Sequence, residues 1–183
     1  MLRPRDIEAA KDAMLGFLFR GLTADPVRGA ALFEALTGEA RRTSWYTKGA
    51  VPDTIDGRFA VLASVVALVL VRLERDGEEG DRVSVALTER FIEVMESEHR
   101  ELGLGDPTLG KTVRKLVAML ARRTELWRSA CAEQTDWLKS SRESLNHADA
   151  STDALRHNAA ALKHLSERIA ATPVRKLEEG KIE

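Results

Sequence analysis

One cysteine, Cys131, stands in the whole chain, so no internal disulfide can form and nothing points to an oxidising compartment. Aromatic residues make up only 5% of the sequence, too few to interleave with cations along a base-stacking face. Net charge is also scarce. The 28 Lys and Arg are matched by 29 Asp and Glu, so the chain has no overall field to draw it onto DNA or an anionic bilayer. Any such contact must come from a local patch. The most hydrophobic stretch, residues 59–71, would span roughly 20 Å as a helix. A bilayer core needs roughly 30 Å, which makes the stretch a buried core helix. The apolar run at 14–19 is short, contains Gly16 and follows Asp6, Glu8 and Asp12, a poor signal or transit peptide. A cytoplasmic setting is expected, with at most a peripheral place at the inner face of the membrane.

Strand signals are nearly absent, and helix signals with start and stop devices fill the chain. With 183 residues, 44% of them hydrophobic, one core is the natural solution. The expected fold is all-α: a single-domain bundle of about six helices over 1–172 and a flexible charged tail at 173–183. Residues 5–20 carry Ile7, Ala10, Met14, Phe17 and Leu18 at helical steps before Gly21. Asp25-Pro26 reads as a cap and first-turn proline of a helix ending at Leu36 or Thr37, before Gly38. Residues 41–55 form an irregular loop. Asp53 or Thr54 caps the apolar helix at 56–75, and 76–81 is a solvated turn. A fourth helix spans 81–102, and Gly103-Leu104-Gly105 closes it. Asp106-Pro107 opens a long helix that runs past Trp127 towards Leu145. The last helix, 151–171, places Leu155, Leu162 and Ile169 seven apart. Its narrow stripe suits packing on the preceding helix or on a second copy of the chain, a homodimer.

Residues 105–112, Gly-Asp-Pro-Thr-Leu-Gly-Lys-Thr, match the nucleotide-binding pattern G-x-x-x-x-G-K-[ST]. That chemistry needs a buried strand before the loop, and the preceding residues read as a charged amphipathic helix. Pro107 removes a loop amide, and no later apolar run ends in a metal-holding Asp. A capped helix start is the simpler reading. The histidines His99, His147, His157 and His164 lack the spacing of a zinc site, and Cys131 reads as a small core residue. With no nucleophile elbow and no haem-attachment motif, no catalytic residue, metal or cofactor is expected. Lys111, Arg114, Lys115 and Arg122 share a helical face opposite Leu109, Val113, Leu116, Val117, Leu120 and Trp127, with Arg123 and Arg128 nearby. Such a face is either solvated or a dock for RNA, lipid headgroups or an acidic protein surface. No DNA contact is expected.

The irregular stretch 45–59 reads W-Y-x-x-G-x-V-P-D-T-x-D-G-R-F and concentrates aromatics, proline, acids and arginine in one corner. Asp53 or Asp56 can cap the next helix, and Arg58 can pair with one of them. Followed by its apolar helix, this stretch resembles the hallmark of the ubiquinol–cytochrome c chaperone family. The later segment 102–116, with Gly105-Asp106, Gly110-Lys111 and Arg114-Lys115, resembles the family's second signature. The resemblance covers about 41–123. It implies an all-helical assembly chaperone for the ubiquinol–cytochrome c reductase that handles newly made cytochrome b, here as a bacterial member. Mitochondrial relatives work with a small partner protein at the ribosomal exit, and the basic helix is the segment for a ribosome or membrane-surface contact. The residues it singles out for partner binding are Trp45, Tyr46, Pro52, Asp53, Asp56, Gly57 and Arg58 in the loop. Gly105, Asp106, Lys111, Arg114 and Lys115 follow at the helix start, with Arg122 further along the basic face. The alternatives are a nucleotide-dependent factor using 105–112 and a helical adaptor with an unrelated protein partner.

Overall fold

The computed structural model describes residues 29–101, 109–145, 147 and 149–182, with the side chains of 98–101 and 109–112 outside that description. The expected helix at 5–20, the Asp25-Pro26 start and the turn at 103–105 lie outside the described residues. Among those described, every regular element is a helix.

The first, α1 (Ala30–Ala40), buries Leu32, Phe33, Leu36 and Ala40. It runs on through Gly38, where termination was expected, because the stripe 32, 36, 40 still has a core to meet while Gly38 faces solvent. A short helix, α2 (Ser44–Thr47), interrupts the expected loop. The long apolar stretch becomes α3 (Ile55–Leu73), which buries every residue from Ala60 to Leu70. A helix apolar all round must be surrounded, and α3 is the central pillar, packed by α1, by α4 (Gly77–Glu101), by α5 (Leu109–Cys131) and by α7 (Thr152–Ala171). Each Leu or Val it buries fully contributes about 1.5–3 kcal/mol of transfer free energy.

Three expectations are corrected. The acidic stretch at 76–81 is not a free turn, since α4 already starts at Gly77. Glu78 and Glu79 sit in its first turn, where the helix dipole favours negative charge. The long helix after 107 does not continue to 145. Glu133 adopts a left-handed backbone with φ 57, and the amides of Gln134 and Thr135 fold back onto the Ser129 carbonyl. Asp136 then caps a separate α6 (Trp137–Ser144). Finally, the charged run after Pro173 is docked rather than frayed. It forms α8 (Val174–Glu178), with Leu177 fully buried and Val174 nearly so. Glu178 receives both terminal nitrogens of Arg82, at 2.5 and 2.9 Å, and Arg168 reaches the Ile182 carbonyl at 3.0 Å.

The order of contacts sets the ends of the bundle. Phe59, one turn into α3, lies 5.9 Å from Phe91 in the second half of α4, and α4 begins only four residues after α3 ends, so those two helices are antiparallel. Arg123 sits 5.8 Å from the same Phe59 ring, and Arg128 pairs with Glu74, so α3 and α5 run in the same sense. The start of α3 and the first half of α5 therefore point to one end.

Candidate functional site

That end carries the corner at 45–58 and, of the second stretch singled out from the sequence, its described part at the start of α5. The corner at 45–58 is built from the inside by its aromatics. Trp45, 1% exposed, donates its indole N–H to the Glu39 carbonyl at 2.9 Å, and the Tyr46 hydroxyl donates to the Ala40 carbonyl at 2.9 Å. Both carbonyls belong to the last turn of α1, where no intrahelical partner exists, so the two side chains close that helix end. Burial raises the Tyr46 pKa above its ordinary value, which keeps the phenol a donor. Ala50 takes a left-handed conformation, φ 49, and the Val51 amide returns to the Trp45 carbonyl at 3.0 Å.

The corner is held from below by Asn158 of α7, a residue that the sequence reading passed over. It is fully buried, and its Nδ2 donates to the Gly49 carbonyl at 2.9 Å. Gly49 is required there because a Cβ would collide with Asn158 Oδ1 and lie 2.6 Å from the Trp45 carbonyl oxygen. The only signal was positional, a polar residue at 158 between the core positions Leu155 and Leu162. Gly57 is fixed in the same way, since a Cβ would strike the Pro52 carbonyl oxygen. Thr54, rather than either aspartate, caps α3 by accepting from the Gly57 amide at 3.2 Å.

The candidates thus divide. Trp45, Tyr46 and Gly57 form the corner, while Pro52, Asp53, Asp56 and Arg58 are exposed on it. Asp53 and Arg58 pair at 2.6 Å, and the guanidinium holds the Asp53 carboxyl below the ordinary carboxylate range. Between them Ile55 is 69% exposed, the one large hydrophobic side chain so placed among the described residues. Sequence reading missed it because it falls at the first position of a helix whose other apolar residues are inside.

On α5, Arg114 and Lys115 are exposed with no ion pair among the described residues. Arg122 is also exposed but pairs with Glu143 at 2.7 Å. The two arginines expected near that face add no free charge to it. Arg128 is neutralised by Glu74 and Glu125, and Arg123 turns inward. Gly105 and Asp106 lie outside the described residues, as does the Lys111 side chain. The segment before the nucleotide-like octet is the helix α4, not the strand that phosphate-binding chemistry needs.

Among the described residues no group of His, Cys, Asp and Glu could hold a metal ion, and no helix is long and apolar enough to cross a membrane. Away from the corner, α3, α5, α6 and α7 enclose a groove of about 720 Å³ lined by Leu68, Arg75, Trp137 and Lys163 among others. Cys131 lies on it, exposed and 3.5 Å from the Ser166 hydroxyl, which corrects its assignment to the core.

No curated protein matches the chain. Among solved structures, the crystal structure of the Cbp3 homolog from Brucella abortus aligns with a TM-score of 0.71 and 22% identity, covering 92% of this chain and 94% of that one. That likeness shows a shared helical fold. The family model described as ubiquinol-cytochrome C chaperone matches residues 47–175, from the last residue of α2, just after Trp45 and Tyr46, through the start of α8. The match runs well beyond the stretch that resembled the family by sequence, taking in α6 and α7 with Asn158. With more than two thirds of its length matched, from the corner to the helix that anchors it, this chain belongs to the ubiquinol–cytochrome c chaperone family.

Proposed function

We propose that the protein is an assembly chaperone for the ubiquinol–cytochrome c reductase and that it holds newly made cytochrome b at the end of the bundle formed by the corner and the first half of α5. The observation that carries this reading is that the first signature's corner shares one end of the bundle with the first half of α5, with Pro52, Ile55, Arg58, Arg114 and Lys115 exposed there. Pro52, Ile55 and Arg58 stand on a corner whose shape is set by buried hydrogen bonds, so little ordering entropy is lost when a partner docks. Ile55 offers an apolar contact, the Asp53–Arg58 pair offers charges of both signs, and Arg114 and Lys115 supply unpaired cations for a ribosome or membrane surface.

The test is made in cells that carry a reductase. Deleting the gene should lower both cytochrome b and the assembled complex, and the wild-type chain should restore them. Restoration by an Ile55→Asp, Arg58→Glu variant to the wild-type level would remove the corner from the reading. Normal reductase in the deletion strain would remove the reading itself.

A further inference from the structure

Arginines that lie mostly inside this fold have acidic partners, with one exception. Arg72 pairs with Asp76, and Arg168 faces Glu39 at 3.6 Å. Arg123 is 6% exposed and has no carboxylate among the described residues. Its Nε donates to the Ser144 carbonyl at 3.2 Å, its Nη1 to the Met119 carbonyl at 3.4 Å, and its guanidinium carbon lies 5.8 Å from the Phe59 ring centroid. Nη2 makes no hydrogen bond among the described residues. Among the described residues it is not one of the fully enclosed polar atoms left without a partner, as the Nε atoms of Arg72 and Arg90 are.

Ser144 ends α6, so its carbonyl carries part of the negative end of that helix dipole, and the ring face adds a cation–π attraction. Both are partial charges offsetting a full one. Buried charges are otherwise paired, because leaving water without a counter-charge is costly. Burial and the neighbouring Arg122 push the Arg123 pKa down from its ordinary value, the sign of a cation whose surroundings lack an anion.

We infer that Arg123 is a receiving site for a single carboxylate of a protein partner, an Asp or Glu side chain that enters beside Phe59 and accepts a charge-assisted hydrogen bond from Nη2. The burial of Arg123 favours this ligand. With so little of the residue exposed, a slim side-chain carboxylate can reach Nη2, whereas a phosphodiester carries substituents on two sides and sits in a chain or a flat headgroup layer. The site lies beside Phe59, the residue that follows Arg58 in α3, so a segment resting on the corner can place an acid there. The inference does not depend on which protein that segment belongs to.

The test uses the wild-type full chain labelled with 15N, observing arginine Nε–Hε signals during titration with sodium acetate at constant ionic strength. The Arg123 signal is the one lost in Arg123→Lys. Acetate should move it along a saturable curve, with a smaller shift at Arg122 and only a linear drift at the exposed Arg114. Chloride should give drift alone. A drift at Arg123 no larger than that at Arg114 would overturn the proposal. So would saturation by inorganic phosphate at lower concentration than by acetate, which would assign the site to a phosphate ligand. The titration is read on the wild-type chain, and the Arg123→Lys spectrum, which should keep the other arginine signals in place, serves only to assign the peak.

Discussion

The Asn158 carboxamide donates to the Gly49 carbonyl at 2.9 Å and ties α7 to a corner 109 residues earlier in the chain. Both groups are shut away from water, so removing the donor leaves a buried carbonyl unpaired. Asn158→Ala should cost about 1–3 kcal/mol, read as a fall of several degrees in the thermal midpoint. Asn158→Asp carries a second signature. The new carboxyl would be buried, which raises its folded-state pKa above the unfolded value, and only its protonated form can donate to Gly49. Its stability should therefore be greatest below the ordinary carboxylate range and fall as pH rises through that range towards the raised value. Urea denaturation at several pH values checks the sign. A pH-independent deficit would show that the donor is not what matters.

Two glycines should respond in opposite directions to the same substitution. At Gly57 a Cβ would run into the Pro52 backbone, which cannot swing aside, so Gly57→Ala should destabilise by at least about 1–3 kcal/mol. At Gly38, inside α1, a Cβ meets nothing within 4 Å. Gly38→Ala should stabilise by about 0.5–1 kcal/mol, because alanine loses less backbone freedom on folding. Equilibrium unfolding of both variants decides the matter, and equal effects would contradict the corner geometry.

The Asp53–Arg58 pair stands on the surface, so it should set charge at the corner without holding the fold together. Arg58 lowers the Asp53 pKa, so what the pairing contributes is present above the ordinary carboxylate pKa and lost as pH falls through the lowered one. A carboxyl 13C titration should place the Asp53 midpoint below the usual range, and Arg58→Gln should bring it back. The thermal midpoint of that variant should stay where it was. If the corner is the docking surface, reductase accumulation should nonetheless fall.

Much of this was legible in the sequence, and the exceptions have local causes. The pillar α3 was plain because thirteen uncharged residues in a row leave no solvated face. The corner was recognisable as irregular, but not the inward role of Trp45 and Tyr46, which depends on carbonyls at the end of another helix. The break between α5 and α6 hides in Glu133, a left-handed residue of a type that seldom marks one. Arg123 was read as lying near the basic face because it follows Arg122 in the sequence, but one residue along a helix turns the side chain by about 100°, and here that turn takes it inward. Cys131 erred the other way, since its neighbour Ala130 takes the fully buried position.

The tail offers the last prediction. Charge density at 175–183 argues for a solvated end, but Val174 and Leu177 are three apart and fall on one side of a single helical turn. That side meets the core. Arg82 then grips Glu178 with two parallel bonds, and Gly180, at φ 74, lets the chain pass so close to Ala31 that a Cβ would lie 2.5 Å from its carbonyl oxygen. Leu177→Ala should thus cost about 2–5 kcal/mol, as a fully buried leucine does elsewhere. Arg82→Gln removes only the exposed grip and should cost about 0–1 kcal/mol. Hydrogen exchange separates a local from a global loss. In Leu177→Ala the amides of α8 should open first, and those of α1 beside them should lose protection as well. An α8 whose exchange in the wild-type chain already matches that of an unfolded peptide would show that the sequence-based tail was right.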